Sequence, residues 1–151
     1  MTALIVCTSK SNGSTRAVAD EMAKAIDARV VSPDEVTDAE IDAAELVGWG
    51  SGIYWMSFAS EVTDRIKALA DRPRGRAFVV ATSGLPETPL RRYTRSMSDL
   101  LAEKGFEVAD TFHCRGLDTM GPLGLVGGVN RGHPTQADLA LARTFALRVA
   151  G

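Results

Sequence analysis

The chain has 151 residues, 45% of them hydrophobic, enough for one domain with a sizeable core. Its 17 basic and 19 acidic residues give a formal net charge of −2, which argues against nucleic acid as the main partner. No apolar run approaches the roughly 20 residues of a membrane span, no basic-then-apolar leader opens the chain, and Cys7 and Cys114 are too few for a disulfide framework, so the expectation is a cytoplasmic protein made of one domain, residues 1–151.

In chain order the pattern alternates strand and helix. Ala3-Leu4-Ile5-Val6-Cys7 is a continuous apolar run, as a parallel strand covered on both faces requires. From 15 to 28, Val18, Met22 and Ile26 recur every four residues with Ala19 and Ala23 beside them, an amphipathic helix. Arg29–Val31 reads as a short second strand, and Pro33–Glu45 as an acidic, poorly periodic connection with room for one helical turn. Leu46–Gly50 is a third strand, and residues 58–70 put Val62, Ile66 and Leu69 on one helical face. Ala77–Ala81 is a fourth strand, and residues 89–104 form a helix that stops near Gly105. Phe106–Phe112 alternates like a fifth strand, and a glycine-rich loop follows from Arg115 to Pro134. The last helix starts at Thr135 with Asp138 in capping-box spacing and buries Leu139, Ala142, Phe145, Ala146 and Val149.

Five strands alternating with about four helices spell an α/β fold: an open, mostly parallel sheet with helices on both faces. Ligands of such sheets sit outside the carboxyl ends of the strands, where the strand order switches. That rule selects the loops 8–15, 51–58 and 82–89.

The first loop, Ser9-Lys10-Ser11-Asn12-Gly13-Ser14-Thr15, places hydroxyls, one cation and one glycine between a strand and a helix N-terminus. Backbone N–H groups, hydroxyl donors and the positive end of a helix dipole then converge on one point, which suits a phosphate. The Gly-Lys-Ser/Thr ending of a nucleotide P-loop is absent, and of the dinucleotide fingerprint only one glycine is present. The second loop, Gly50-Ser51-Gly52-Ile53-Tyr54-Trp55-Met56-Ser57-Phe58, gathers large apolar side chains that either pack on neighbouring segments or are covered by a flat aromatic ligand. The third, Thr82-Ser83-Gly84-Leu85-Pro86, offers small residues and backbone N–H groups. A phosphate cup, an aromatic wall and a backbone rim together suit flavin mononucleotide (FMN).

These segments resemble the flavodoxin family. Leu4–Ala23 looks like its phosphate-binding segment, with the Ser9…Gly13-Ser14-Thr15 spacing nearest the variant also seen in menaquinone-dependent protoporphyrinogen oxidases. Val47–Trp55 looks like the family's second flavin loop and Val79–Gly84 like its third, and Phe112–Pro134 is similar to the C-terminal part of a flavodoxin-family subgroup. The resemblance implies a flavodoxin-like three-layer sandwich around a five-stranded parallel sheet of order 2-1-3-4-5, with noncovalent FMN and electron transfer. It implies phosphate contacts from Ser9, Ser11, Asn12, Gly13, Ser14 and Thr15. Ser51, Gly52, Ile53, Tyr54 and Trp55 would line the flavin, and Thr82, Ser83 and Gly84 its other edge. The implied partner is a redox protein or a small-molecule electron acceptor; the alternatives are an FMN-dependent oxidoreductase acting on a quinone or porphyrinogen-type substrate, and a flavin-free binding module of this fold.

The sequence departs from electron-carrying flavodoxins in two ways. They are usually strongly acidic, whereas this chain is nearly balanced and clusters Arg91, Arg92 and Arg95 after the third loop. They also often carry a glycine beside the flavin N5 whose peptide flips, and the aligned stretch here is Gly52-Ile53-Tyr54. Cys7 before a phosphate-like loop suggests a phosphatase nucleophile, but the arginine needed six positions later is Gly13, so Cys7 reads as a buried small residue. His113 and Cys114 lack a third ligand at metal spacing, and no acidic pair follows the first strand as a receiver domain would need.

Overall fold

The computed structural model of the protein describes residues 2–8, 14–54, 57–83, 87–115 and 134–151. The opening apolar run is β1 (Ala3–Cys7), buried at every position. Helix α1 (Ser14–Ile26) follows, burying Val18, Ala19, Met22 and Ala23 and leaving Ile26 half-buried at its last turn. It ends at Asp27, whose φ of 56° is left-handed, with the Ala28 N–H donating to the Ala23 carbonyl at 2.9 Å.

Strand β2 (Arg29–Val31) leads to α2 (Asp38–Ala43), a helix within the stretch expected to be mostly a connection. Six residues are too few to show a hydrophobic period, and what starts this helix is local: Thr37 Oγ1 accepts from the Glu40 N–H at 3.2 Å while Glu40 Oε1 accepts from the Thr37 N–H at 3.1 Å. Strand β3 (Leu46–Tyr54) runs four residues past its expected end and turns into the two-residue β4 (Ser57–Phe58), antiparallel to it through Ile53–Phe58 and Tyr54–Ser57. The segment expected as the second loop is therefore largely strand, because Ser51 and Gly52 continue the ladder with Ala81 and Thr82. Then come α3 (Ser60–Lys67), β5 (Arg76–Ser83), α4 (Glu87–Glu103), β6 (Glu107–Arg115) and α5 (Gln136–Ala150).

All long pairings are parallel, and the order is β2-β1-β3-β5-β6, with β4 attached to β3 alone. With that short hairpin set aside, this is the expected order 2-1-3-4-5. Two apolar layers sandwich the sheet. One face of β1, β3 and β5 packs Val6, Val47, Trp49, Val79 and Ala81 against Ile41 of α2, Val62 and Ile66 of α3, and Met97 and Leu101 of α4. The other packs Ile5, Cys7, Leu46, Phe78 and Val80 against Val18 and Met22 of α1 and Ala142, Phe145 and Val149 of α5. Helix α5 opens on the expected box, Thr135 Oγ1 accepting from the Asp138 N–H at 3.1 Å and Asp138 Oδ2 from the Thr135 N–H at 2.8 Å. Its buried set is Ala142, Phe145, Ala146 and Val149, with Leu139 only half-buried.

Candidate functional site

The chain reverses direction across the sheet at β1, which has β2 on one side and β3 on the other. Such a reversal opens a crevice at the carboxyl ends of the strands. Three segments meet that edge: the start of α1 after β1, the end of β3, and the end of β5. The register across the edge runs Cys7–Gly50–Val80 and, two residues further along, Gly52–Thr82–Cys114.

Among the described residues, four uncharged polar residues are buried as a whole: Thr15, Ser51, Thr82 and Thr94. The first three stand at this edge. Thr15 lies in the first turn of α1, which comes down close onto the sheet because β3 carries a glycine beneath it. A Cβ at Gly50 would meet Cys7 Cβ at 3.2 Å and would touch Thr15 Cγ2 at 3.4 Å, so the space above Gly50 is filled by β1 and α1. The Thr15 hydroxyl is 2.7 Å from the Thr82 hydroxyl, at the end of the alternating row Phe78, Val80, Thr82 on the face that α1 covers. Ser51 is used differently. Its hydroxyl donates to the Gly52 carbonyl at 2.6 Å and accepts from the Ala59 N–H at 2.9 Å, tying the end of β3 to the start of α3.

The first turn of α1 is free of acidic residues. Helices α2, α3 and α5 carry acidic residues in their first turns, namely Asp38 and Glu40, Glu61, and Asp138. Helix α1 carries none, so its positive end is left without an acid of its own. Arg16 is turned to Asp20 at 2.9 Å along the outer side of the helix. A helix N-terminus with a buried threonine hydroxyl and no acidic residue in its first turn is a donor set for phosphate.

Neither cysteine is poised for nucleophilic chemistry. Burial pushes the Cys7 thiol up to about 11, further raised by Asp20 and opposed by Arg16. Burial, then the charge of Asp138, pushes Cys114 up to about 12. Both are protonated at neutral pH. Among the described residues no group of three or more His, Cys, Asp and Glu could hold a metal ion, and no helix is long and apolar enough to cross a membrane.

Of the residues expected at the site, Ser14 and Thr15 are in the first turn of α1, Ser51, Gly52, Ile53 and Tyr54 close β3, and Thr82 and Ser83 close β5. The fold brings these three groups to one edge of the sheet. Ser9, Ser11, Asn12, Gly13, Trp55 and Gly84 lie outside the described residues, as do Met56 and residues 116–133 of the glycine-rich loop. Phe58, counted with the apolar cluster of the second loop, is buried in the core beside Ala59 and Val62. Packing on its neighbours accounts for it.

No family model matches the sequence. The uncharacterized protein MJ0298 of Methanocaldococcus jannaschii is 31% identical over 146 residues, 97% of this chain and 96% of that protein. The chain belongs to the family of this archaeal protein. Solved structures share its fold along almost its whole length. A flavodoxin from the domain Archaea superposes with a TM-score of 0.70 at 16% identity, over 99% of this chain and 96% of that one. Flavodoxin 2 of Bacillus cereus in its oxidised form gives 0.73 at 14% identity, over 99% and 98%. The WrbA-like flavodoxin of Agrobacterium tumefaciens gives 0.67 at 17% identity, over 99% and 96%. The fold is flavodoxin-like, as the resemblance implied.

Two features of this flavodoxin-like edge went unread in the sequence. One is the Thr15–Thr82 bond, which joins residues 67 positions apart. Its available signal was Thr82 itself, a polar residue closing a row that is otherwise apolar. The other is the commitment of Ser51 to the backbone of its own scaffold, which no spacing announces.

Proposed function

We propose that the protein binds FMN at the carboxyl edge of its sheet and acts in electron transfer, exchanging electrons with a redox partner protein or a small-molecule acceptor. The observation that carries this reading is the first turn of α1, which has no acidic residue of its own and holds a buried threonine at the switch point of a flavodoxin-like sheet. Its N–H groups and hydroxyls suit the phosphate, and the ends of β3 and β5 would flank the ring. Bound FMN supplies reversible one- and two-electron chemistry. The protein's part is to hold the phosphate, to exclude water from the ring and to set the polarity around it. Burial keeps the thiols of Cys7 and Cys114 protonated, and the Ser51 hydroxyl is engaged with the backbone, so in this reading the bound cofactor supplies the chemistry.

The test is the visible spectrum of the purified protein before and after addition of FMN and removal of the excess. Flavin absorption that stays with the protein supports the reading. Replacing Ser14 and Thr15 by Ala should weaken FMN binding by about 1–3 kcal/mol, the usual cost of losing hydrogen bonds to a charged group. Unchanged affinity on titration would refute the phosphate assignment. A protein that stays colourless with FMN present would be a binding module of this fold.

A further inference from the structure

We propose that Thr82 is a positioning residue for phosphate: its hydroxyl fixes Thr15, and with it the first turn of α1, rather than touching the flavin ring. The inference rests on the FMN reading above and assigns the third segment of the edge a task different from the one the family resemblance implies for it.

Thr15 and Thr82 are 1% and 4% exposed, and their hydroxyl oxygens are 2.7 Å apart. Thr15 is held on two sides. Its methyl lies over Gly50, where a Cβ would come within 3.4 Å of it, and its hydroxyl meets Thr82. The helix turn thus rests on β3 through a methyl group and is tied to β5 through a hydrogen bond. A hydroxyl has one proton and two acceptor lone pairs. When Thr15 gives its proton to a phosphate oxygen, it must meet Thr82 as an acceptor, so Thr82 donates. In that arrangement the bond to Thr82 holds Thr15 in place while its own proton serves the phosphate, which lowers the ordering cost of binding. It also links the first turn of α1 to the end of β5, so a change at Thr82 reaches Thr15. Thr82 closes the row Phe78, Val80, Thr82 and pairs in register with Gly52 and Cys114, none of which offers a carboxylate to compete for the Thr82 proton.

The test compares two flavins that differ in the phosphate. Dissociation constants for FMN and for riboflavin are measured by fluorescence titration on the wild-type protein, Thr82→Val and Thr82→Ser, with the thermal midpoint of each flavin-free protein. Valine keeps the shape and removes the donor; serine keeps the donor. The expected result is FMN affinity about tenfold weaker in Thr82→Val, the size of one lost hydrogen bond to a group that serves a charge. Riboflavin affinity should be unchanged, and FMN affinity in Thr82→Ser should stay within about twofold. Equal losses for FMN and riboflavin would place the hydroxyl against the ring and overturn the proposal, and so would unchanged FMN affinity in Thr82→Val. If that variant does not fold, Thr82→Ala, which also lacks the hydroxyl, decides: loss of FMN affinity with riboflavin affinity retained sustains the proposal, and equal losses or no loss overturn it. A wild-type protein that binds neither flavin overturns the FMN reading and this proposal with it, whereas FMN binding without discrimination at Thr82 overturns this proposal alone.

Discussion

Gly48 stands in the middle of β3 against the Phe78 ring, and the two residues divide one volume between them. A Cβ on Gly48 would lie 2.4 Å from Phe78 Cζ and 2.6 Å from Cε2. The ring has little room to retreat, because it packs edge-on to Phe145 at 5.8 Å, and Phe145 in turn leans on Phe112 at 5.3 Å. Gly48→Ala is therefore expected to cost about 1–3 kcal/mol in urea unfolding, as overpacking of a filled core does. Adding Phe78→Leu should recover part of that loss, since it removes the atoms that collide. Losses that simply add in the double variant would show that the two side chains do not contend for this space. Gly50, two residues on, serves the same face by admitting Thr15. One row of β3 thus makes room first for an aromatic cluster and then for the turn proposed to hold phosphate.

Helices α1 and α5 cover that face together, and their solvent side carries an ion pair between them. Arg143 Nη1 donates to Glu21 Oε2 at 2.9 Å, and this hydrogen bond holds the Glu21 carboxyl below the ordinary value of 4.5. A lowered folded value means that the pair contributes fully above pH 4.5 and is lost as the pH falls through the folded value. A double-mutant cycle with Glu21→Gln and Arg143→Met should show coupling at neutral pH that fades on acidification, and that added salt reduces. Coupling that persists in acid would assign it to side-chain packing. At this scale much was legible in advance. The four-residue recurrence of Val18 and Met22, and the Thr135–Asp138 spacing, are local patterns, and both helices form where they indicate. Helix α2 escaped because periodicity needs length, although its Thr37–Glu40 box was open to reading. The extension of β3 escaped because serines, glycines and aromatics look like a loop until a neighbouring strand is there to pair with them.

The whole molecule divides its tasks between the two ends of the sheet. The parallel sheet and the three segments at its carboxyl edge follow from the alternation of elements, and the strand order from the resemblance to flavodoxins; the Thr15–Thr82 tie across 67 residues could not be read, because it exists only once β5 lies beside β3. The opposite end is fastened by Arg74, whose side chain is 2% exposed. Its guanidinium donates to Asp42 Oδ1 at 2.8 Å and to the carbonyls of Ala70 and Lys104, and it lies over the Phe106 ring at 5.7 Å. The Arg74 N–H meets the carbonyl of Gly105 at 2.9 Å. Gly105 has a φ of 94°, and a Cβ on it would strike the Arg72 carbonyl oxygen at 1.8 Å, so the turn after α4 closes on this arginine only with glycine there. Arg74→Ala removes a donor from three carbonyls and leaves Asp42 with Arg72 alone, and is expected to cost about 2–4 kcal/mol of stability. Arg74 and Thr82 are separated by the length of β5, about 25 Å at strand rise, and substitutions that far apart act independently. FMN affinity in the folded variant should accordingly stay within about twofold of the wild type, measured by titration well below the unfolding midpoint. A large loss of affinity would mean that the turn around Arg74 and the site at the carboxyl edge are coupled through the sheet.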